Sequence, residues 1–353
     1  MKVLCAMSGG VDSSVAALLL AEAGHDVAGV TLKLWGGESD TGCCAVSDTD
    51  DARRVAHRLG IDHHVFNFGD EFDASVVGPY LDAHRVGLTP NPCVECNRHI
   101  KFDKLTRRAA ALGFDAVATG HHVRRVRAPD GTWRVGRGAD AAKDQSYVLH
   151  MLDAAALERI VFPVGELTKD EVRAVAAAHG LATAAKPDSQ DVCFITRSAG
   201  RETFLGDRIP LHPGRVVDTG GAVVGGVDAI ESVTIGQRRG LTLAGGAARR
   251  YVVDVDVPGR TVTVGGPADL EVDTTVVAGV VWAASPPTGA VTVQTSAHGR
   301  AAGATVEIVG ERIVIHWDEA HARVAPGQSV VVYDGAMVVG GGVASGGATT
   351  SSG

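Results

Sequence analysis

Two groups of residues in this sequence have the types and spacing to do chemistry. The first is Ala6-Met-Ser-Gly-Gly-Val-Asp-Ser-Ser14. It follows an apolar run at residues 3–6 that reads as a buried parallel strand, and it leads into a helical pattern over residues 15–23 ended by Gly24. A Ser-Gly-Gly turn between a strand and a helix start presents outward N–H groups in the positive field of the helix dipole. Glycines at 9 and 10 allow close approach of the backbone, and Ser8, Ser13 and Ser14 add hydroxyl donors. This is an anion site of phosphate or pyrophosphate size. It is neither G-x-x-x-x-G-K-[ST] nor G-x-G-x-x-G, so a Walker loop and a dinucleotide fingerprint are both excluded here.

The second group is made of thiols. Of six cysteines, Cys5 lies on the first strand and reads as a small core residue. Cys43 and Cys44 sit side by side in a polar stretch and have no assigned role. Cys93-Val-Glu-Cys96 follows a stiff Thr-Pro-Asn-Pro turn and precedes Arg98 and Lys101. A thiol at a helix start among cations has its pKa drawn below the free value of ~8.5. Cys193 lies in a polar segment, Pro187-Asp-Ser-Gln-Asp-Val-Cys193. A single C-x-x-C fits a redox pair, half a zinc site or two unrelated thiols. A four-thiolate zinc site normally takes a second C-x-x-C, which is lacking. Cys93, Cys96 and Cys193 together are a candidate three-thiolate set for an iron–sulfur cluster with one open iron.

The elements that must position these groups follow from the rest of the pattern. Over the first ~195 residues strand and helix signals alternate, predicting an open parallel sheet with helices on both faces. Ligands of such sheets bind beyond the carboxyl ends of the strands, so the turns after the first, second and fourth strands should converge. Thr168 and Glu171 form a capping-box signature for a helix over 169–179. Beyond residue 195 helical periodicity gives way to short alternating runs punctuated by Pro-Gly and Gly-Gly, predicting a small β-rich unit and then a β-barrel. The expected division is 1–197, 198–270 and 271–343, with a low-complexity tail at 344–353 read as disordered.

With 353 residues the chain has room for two or three domains. No apolar run reaches the ~18 residues of a membrane span. The sequence enters its first strand without a basic and apolar leader, which points to the cytoplasm and to working thiols rather than a disulfide scaffold. The net charge of −8 argues against a general nucleic-acid binder, but it is unevenly spread. Residues 1–90 hold 6 Lys/Arg against 13 Asp/Glu, whereas residues 91–150 hold 11 against 6. A local basic region in an acidic chain suits selective contact with a polyanion, and an ordinary solvated face accounts for it equally well.

The Ser8-Gly-Gly-Val-Asp-Ser13 pattern resembles the PP-loop of N-type ATP pyrophosphatases. With Thr89-Pro-Asn-Pro-Cys-Val-Glu-Cys-Asn97, Ile100-Lys-Phe102, Ala118-Thr-Gly-His121, Lys143-Asp-Gln-Ser-Tyr147, Phe162-Pro-Val-Gly-Glu-Leu167, Val192-Cys-Phe-Ile195, Thr234-Ile-Gly-Gln-Arg-Arg-Gly-Leu241 and Pro326-Gly-Gln-Ser329 in order, the chain resembles the bacterial tRNA-specific 2-thiouridylases from Met1 to about Val343. That resemblance implies an adenine-nucleotide α-hydrolase-like domain followed by two β domains. It implies adenylation of uracil O2 at the tRNA wobble position, then sulfur transfer to C2. Ala6, Met7, Ser8, Gly9, Gly10, Val11, Asp12, Ser13, Leu32 and Gly120 would hold ATP, with Asp12 organising Mg2+ or pyrophosphate. Cys193 would carry a persulfide and Cys96 would be the second catalytic thiol, the two closing a transient disulfide. Asn91, Pro92 and Cys93 would meet the target base, and His121, Lys143, Asp144, Gln145 and Gln328 would contact tRNA. Arg238 and Arg239 are candidate phosphate contacts on a turn that reads equally well as a solvated hairpin tip. The implied partners are tRNAs for Lys, Glu and Gln and a persulfide donor such as a cysteine desulfurase or relay protein. Cys93 stands where some relatives carry Asp, which bears on the base contact and on the cluster alternative. Ser296 and Ala297 stand where others carry an Arg-Tyr pair, with His298 and Arg300 as nearest substitutes. The competing readings are an amide-forming PP-loop ligase, which leaves Cys96 and Cys193 without use, an iron–sulfur-dependent tRNA thiolase using Cys93, Cys96 and Cys193, and an RNA-binding or iron–sulfur carrier protein with a vestigial ATP site.

Overall fold

The computed structural model describes residues 1–35, 46–188, 192–195, 200–243, 249–283 and 285–346. Cys43 and Cys44 lie outside the described residues, as do 347–353 of the expected tail. The chain begins β1 (Lys2–Ala6), α1 (Val11–Glu22), β2 (Asp26–Lys33), α2 (Val46–Leu59), β3 (Asp62–Asn67) and, after two further helical segments, β4 (Ala116–Thr119). A hairpin, β5 (Val123–Arg127) and β6 (Trp133–Arg137), precedes β7 (Ile160–Val161). Strands β3-β2-β1-β4-β7 form an all-parallel sheet in that order. Alternation along β1 sends Leu4 into one apolar layer and Val3 and Cys5 into the other, so the sheet is covered on both faces. Burial pushes the Cys5 thiol up to about 12, which fits a core residue. The chain leaves β1 toward β3 and returns to β4 on the other side of β1. That reversal opens a crevice at the carboxyl ends of β1 and β4.

The C-x-x-C segment is more helical than its sequence suggests. Helix runs continuously over 92–111, with a π-helical stretch at Cys96–Lys104, rather than starting at Ile100. Pro92 takes its first turn and Asn91 caps it, accepting a hydrogen bond from Cys93 N at 3.1 Å. Cys93 and Cys96 therefore share a helix, yet Cys93 is exposed and Cys96 buried.

The β-rich remainder holds two units. In the first, β8 (Gly214–Asp218), β9 (Val223–Val227), β10 (Thr242–Leu243), β11 (Tyr251–Asp256) and β12 (Thr261–Gly265) pair in the order β10-β9-β8-β12-β11. The second is a closed barrel of β13 (Glu271–Trp282), β14 (Ala290–Gln294), β15 (Ala302–Val309), β16 (Arg312–Ala322), β17 (Ser329–Asp334) and β18 (Met337–Ala344), sealed where β13 meets β18. The β5–β6 hairpin of the N-terminal region joins this barrel sheet along β18. Sequence reading missed the hairpin because Val123-Arg-Arg-Val-Arg127 is charged enough to pass for a surface loop. Its cations have structural uses: Arg125 and Arg127 lie 4.2 and 4.5 Å over the Trp133 ring, and Arg134 is buried against Asp130. Part of the basic surplus at 91–150 is thus spent inside the fold. At the other end β18 extends into the expected tail, and Ser345 N still donates to Val276 O at 2.9 Å.

Candidate active site

The first loop is built around glycine. Gly9 has φ +72°, and a Cβ there would lie 2.2 Å from the Asp48 carbonyl oxygen of α2. Gly120, at the end of β4, packs so tightly on the first turn of α1 that a Cβ would lie 2.5 Å from Ser13 N. Gly10 precedes α1 in an extended conformation with no side chain capping the helix. Its carbonyl accepts from the hydroxyls of Ser13 and Ser14 at 3.1 and 2.8 Å, while Ser8 N donates to Ser13 Oγ at 3.1 Å. Thr31 Oγ1, from β2, donates to Met7 O at 2.8 Å and fixes the loop from its other side. Gly9→Ala should weaken nucleotide binding roughly tenfold or more, since αL strain alone costs about 1–2 kcal/mol and the Asp48 clash adds to it. Calorimetric titration with ATP checks this, and an unchanged affinity would overturn the reading of Gly9.

Around the loop lies a charged cluster that sequence reading largely missed. Lys169 Nζ donates to both carboxylate oxygens of Asp12 at 2.8 Å and contacts Asp188 Oδ1 at the same distance. His122 Nε2 lies 3.0 Å from Asp12 Oδ1. Burial pushes the Asp12 carboxyl up, but the hydrogen bonds from His122 and Lys169 outweigh it and hold its pKa below the ordinary value. At Asp188 burial again opposes ionisation, and Lys143 and Lys169 prevail, holding it at about 2. Arg173 adds a third cation to Asp188 at 2.9 Å. Lys186 Nζ reaches Gly9 O at 3.0 Å and Asp48 and Asp51 at 2.6 Å each, tying the segment ahead of Cys193 to the loop and to α2. Lys169 was legible only as the first residue after a capping box, which the structure contains at Thr168 and Glu171. That box sets the start of helix Lys169–Ala178, and only the sheet topology brings that start beside α1.

Loop and thiols open onto one cavity of about 670 Å³. Residues 6–8 and 10–13, Leu32, Gly120, Pro92, Cys93, Cys96, His121, Lys143, Asp144, Gln145 and Cys193 all line it. Gly9, Asn91 and Gln328 do not: Gly9 shapes the loop, Asn91 caps the helix, and Gln328 Nε2 donates to Thr89 O at 2.8 Å, joining a barrel loop to the Thr-Pro-Asn-Pro turn. Cys96 is buried in the same apolar cluster that Cys193 packs against from a half-buried position. His121 is buried with Nδ1 2.7 Å from Thr119 Oγ1, and desolvation drives its pKa well below the ordinary value, keeping the ring neutral. Gln145 Oε1 accepts from His122 N at 2.8 Å, so it orients the histidine that meets Asp12. From the barrel, Ala297 and His298 reach the cavity wall. Arg238 and Arg239 are exposed on their turn and away from the cavity lining. Among the described residues no three His, Cys, Asp or Glu side chains converge to hold a metal ion, so Cys93, Cys96 and Cys193 are not arranged as a ligand set.

This geometry agrees with what the chain is similar to. Residues 1–197 match the tRNA methyl transferase HUP domain, 202–266 the tRNA methyl transferase PRC-barrel domain, and 272–344 the aminomethyltransferase beta-barrel domain. The tRNA-specific 2-thiouridylase MnmA of Streptomyces avermitilis is 45% identical over 352 residues, covering 96% of this chain and 93% of that protein. The protein of the same name from Mycobacteroides abscessus is 47% identical over 344 residues, covering 94% and 95%. Among solved structures, the U34-tRNA thiolase NcsA from Methanococcus maripaludis is 20% identical with a TM-score of 0.38, covering 54% of this chain and 61% of that one, too slight a likeness to argue from. No described helix is long and apolar enough to cross a membrane. The full-length identities decide the matter, and the chain belongs to the tRNA-specific 2-thiouridylase family.

Proposed function

We propose that this protein is an ATP-dependent tRNA-uridine 2-sulfurtransferase acting at the wobble position, and that Cys96 and Cys193 carry the sulfur step. The observation that supports this reading above all is the single cavity shared by the Ser8–Ser13 loop and both thiols. An amide-forming ligase with the same loop has no use for a buried thiol and a half-buried thiol lining the cavity of that loop. Uracil O2 is a poor leaving group. Its attack on the α-phosphorus of ATP expels pyrophosphate and leaves an O2-adenylyl group, which departs readily as AMP. The loop, Lys169 and Lys186 supply positive potential for the phosphates. Asp12, which Lys169 and His122 already contact, would hold Mg2+ as one carboxylate beside the substrate phosphates, and the ion would supply neutralisation of phosphate charge.

Sulfur then arrives as a nucleophile. The terminal sulfur of a Cys193 persulfide attacks C2, and AMP leaves. The Cys96 thiolate attacks Cys193 Sγ, breaking the persulfide S–S bond, closing a Cys96–Cys193 disulfide and leaving one sulfur on C2. A thiol reductant resets the pair, as suits a turnover disulfide. Release of sulfide by Cys96 before the attack on C2 is the variant route. The arrangement of the thiols gives no support to a cluster, and no step passes through one. The tRNAs for Lys, Glu and Gln, a desulfurase or relay protein as sulfur donor, and a cytoplasmic setting complete the reading.

The test is a single-turnover reaction with ATP, a persulfide donor and tRNA transcripts. A transcript with uridine at the wobble position should yield 2-thiouridine, AMP and pyrophosphate in equal amounts. A transcript with cytidine there should yield none of them. Equal AMP release from both transcripts would overturn the selection of uridine at the wobble position, since cytosine carries the same C2 carbonyl.

A further inference from the structure

The Lys143-Asp144-Gln145 motif is a tRNA contact by resemblance, yet the Asp144 side chain is only 8% exposed and its carboxylate is filled. It accepts from Gly138 N at 3.0 Å, Ser146 N at 3.1 Å, Ser146 Oγ at 2.8 Å and Arg137 Nη1 at 2.8 Å. Four donors leave such a group little capacity for an RNA partner. The arginine is the informative member. Arg137 ends β6, the hairpin strand that continues the barrel sheet. Its second nitrogen, Nη2, donates to Gln294 Oε1 at 3.0 Å on β14, and its guanidinium lies 3.9 Å over the ring of Tyr333 on β17. Gln294 is itself buried, and its amide nitrogen donates to Ser296 O at 2.9 Å and Ala297 O at 3.3 Å. Tyr147 OH, from the same motif as Asp144, donates to Ser329 O at 2.8 Å and lies 3.2 Å from Thr295 O. A chain of hydrogen bonds thus runs from Asp144 through Arg137 and Gln294 to the loop at 295–298, whose last two residues line the cavity.

We propose that Arg137 is a positioning residue that holds the barrel loop 295–298 over the cavity, and that Asp144 acts on tRNA through this latch instead of touching it. The chemistry suits the task. A planar guanidinium presents two nitrogens at a fixed angle, so one side chain sets the distance between a carboxylate of the catalytic domain and an amide of the barrel. Lysine cannot span both. The proposal deepens the function given above and rests on it only where tRNA is the readout.

The experiment compares Arg137→Met, Arg137→Lys, Asp144→Asn, Gln294→Ala and the Arg137→Met/Asp144→Asn double variant in the full chain. Hydrogen exchange of amides at 295–298, measured without tRNA, should speed up in Arg137→Met and Gln294→Ala, with Arg137→Lys between them and wild type. KM for tRNA should rise about tenfold in Arg137→Met, with kcat at saturating tRNA and ATP affinity within about twofold. The double variant should be no worse than Asp144→Asn alone, as expected of residues acting in one chain. Additive losses, or weaker tRNA binding in Asp144→Asn with Arg137→Met unaffected, would overturn the latch and return Asp144 to direct contact. Unchanged exchange at 295–298 in both Arg137→Met and Gln294→Ala would also overturn it, whether or not either variant melts lower. If exchange speeds up while the wild-type enzyme thiolates no tRNA, the latch stands and the proposed function falls.

Discussion

Cys193→Ser should abolish 2-thiouridine formation, by about a thousandfold or more, while sparing adenylation. A serine hydroxyl cannot carry sulfane sulfur, so the nucleophile is removed outright rather than weakened. Pyrophosphate release in a single turnover should stay within severalfold of wild type, because the phosphate loop and its cations are untouched. The two thiols also differ in access. Cys193 is half-buried, and Cys96 is 6% exposed within an apolar cluster. A donor protein can reach the first far more readily than the second. After incubation with a persulfide donor, mass analysis should therefore find the added sulfur on the Cys193 peptide. Cys96→Ser should still load that sulfur and fail to pass it on, and Cys93→Ser should lose much less activity than either. Thiolation persisting in Cys193→Ser, or sulfur loading that vanishes in Cys93→Ser instead, would sink the assignment. Cys93 is the real competitor, since it is the exposed thiol of the helix and lines the same cavity.

Legibility in the sequence depended on whether a residue acts locally. The Ser8–Ser13 loop was readable because strand, turn and helix are adjacent in the chain, and its glycines have local reasons to be glycine. The expected parallel sheet and the closed barrel followed from periodicity, which is also local. The β5–β6 hairpin was not readable, because its role is to pair with β18 about two hundred residues later. Asp12 was identified from its motif, but its partners His122 and Lys169 come from beyond β4 and from a distant helix start. The same limit affected the basic region. Charge counting cannot tell Arg137, which bonds a carboxylate and lies on a tyrosine ring, from a cation waiting for a phosphate. Gln328 adds a bond that sequence could not announce, its amide donating to the backbone of Thr89 from across the chain.

Lys169→Met should cost adenylation about a hundredfold, the scale of losing one preorganised charge at a phosphoryl-transfer centre. Lys169 is the ammonium shared by Asp12 and Asp188, with its side chain only 9% exposed. Methionine keeps the length and the apolar stem and removes the charge, so two carboxylates then face each other with less compensation. The pH dependence gives the diagnostic sign. Asp12 is held below its ordinary pKa, and Asp188 falls from 3.8 to about 2. Groups with depressed folded-state pKa values stabilise the folded chain above the unfolded pKa and lose that contribution as pH falls through the folded one. Wild-type stability from this cluster should thus persist to about pH 4 and decline toward pH 2. In Lys169→Met both carboxylates lose a cation and their pKa values rise toward the unfolded ones, so the contribution shrinks and the acid decline, which still begins near pH 4, ends at higher pH. His122 and, at Asp188, Lys143 and Arg173 remain, so the decline moves without disappearing. Pyrophosphate release followed against pH, beside thermal melts over the same range, reads both effects. Adenylation within threefold of wild type would remove Lys169 from phosphate chemistry and leave it a structural cation. A lost rate with an unmoved acid limb would mean that Asp12 and Asp188 do not depend on Lys169 for their charge.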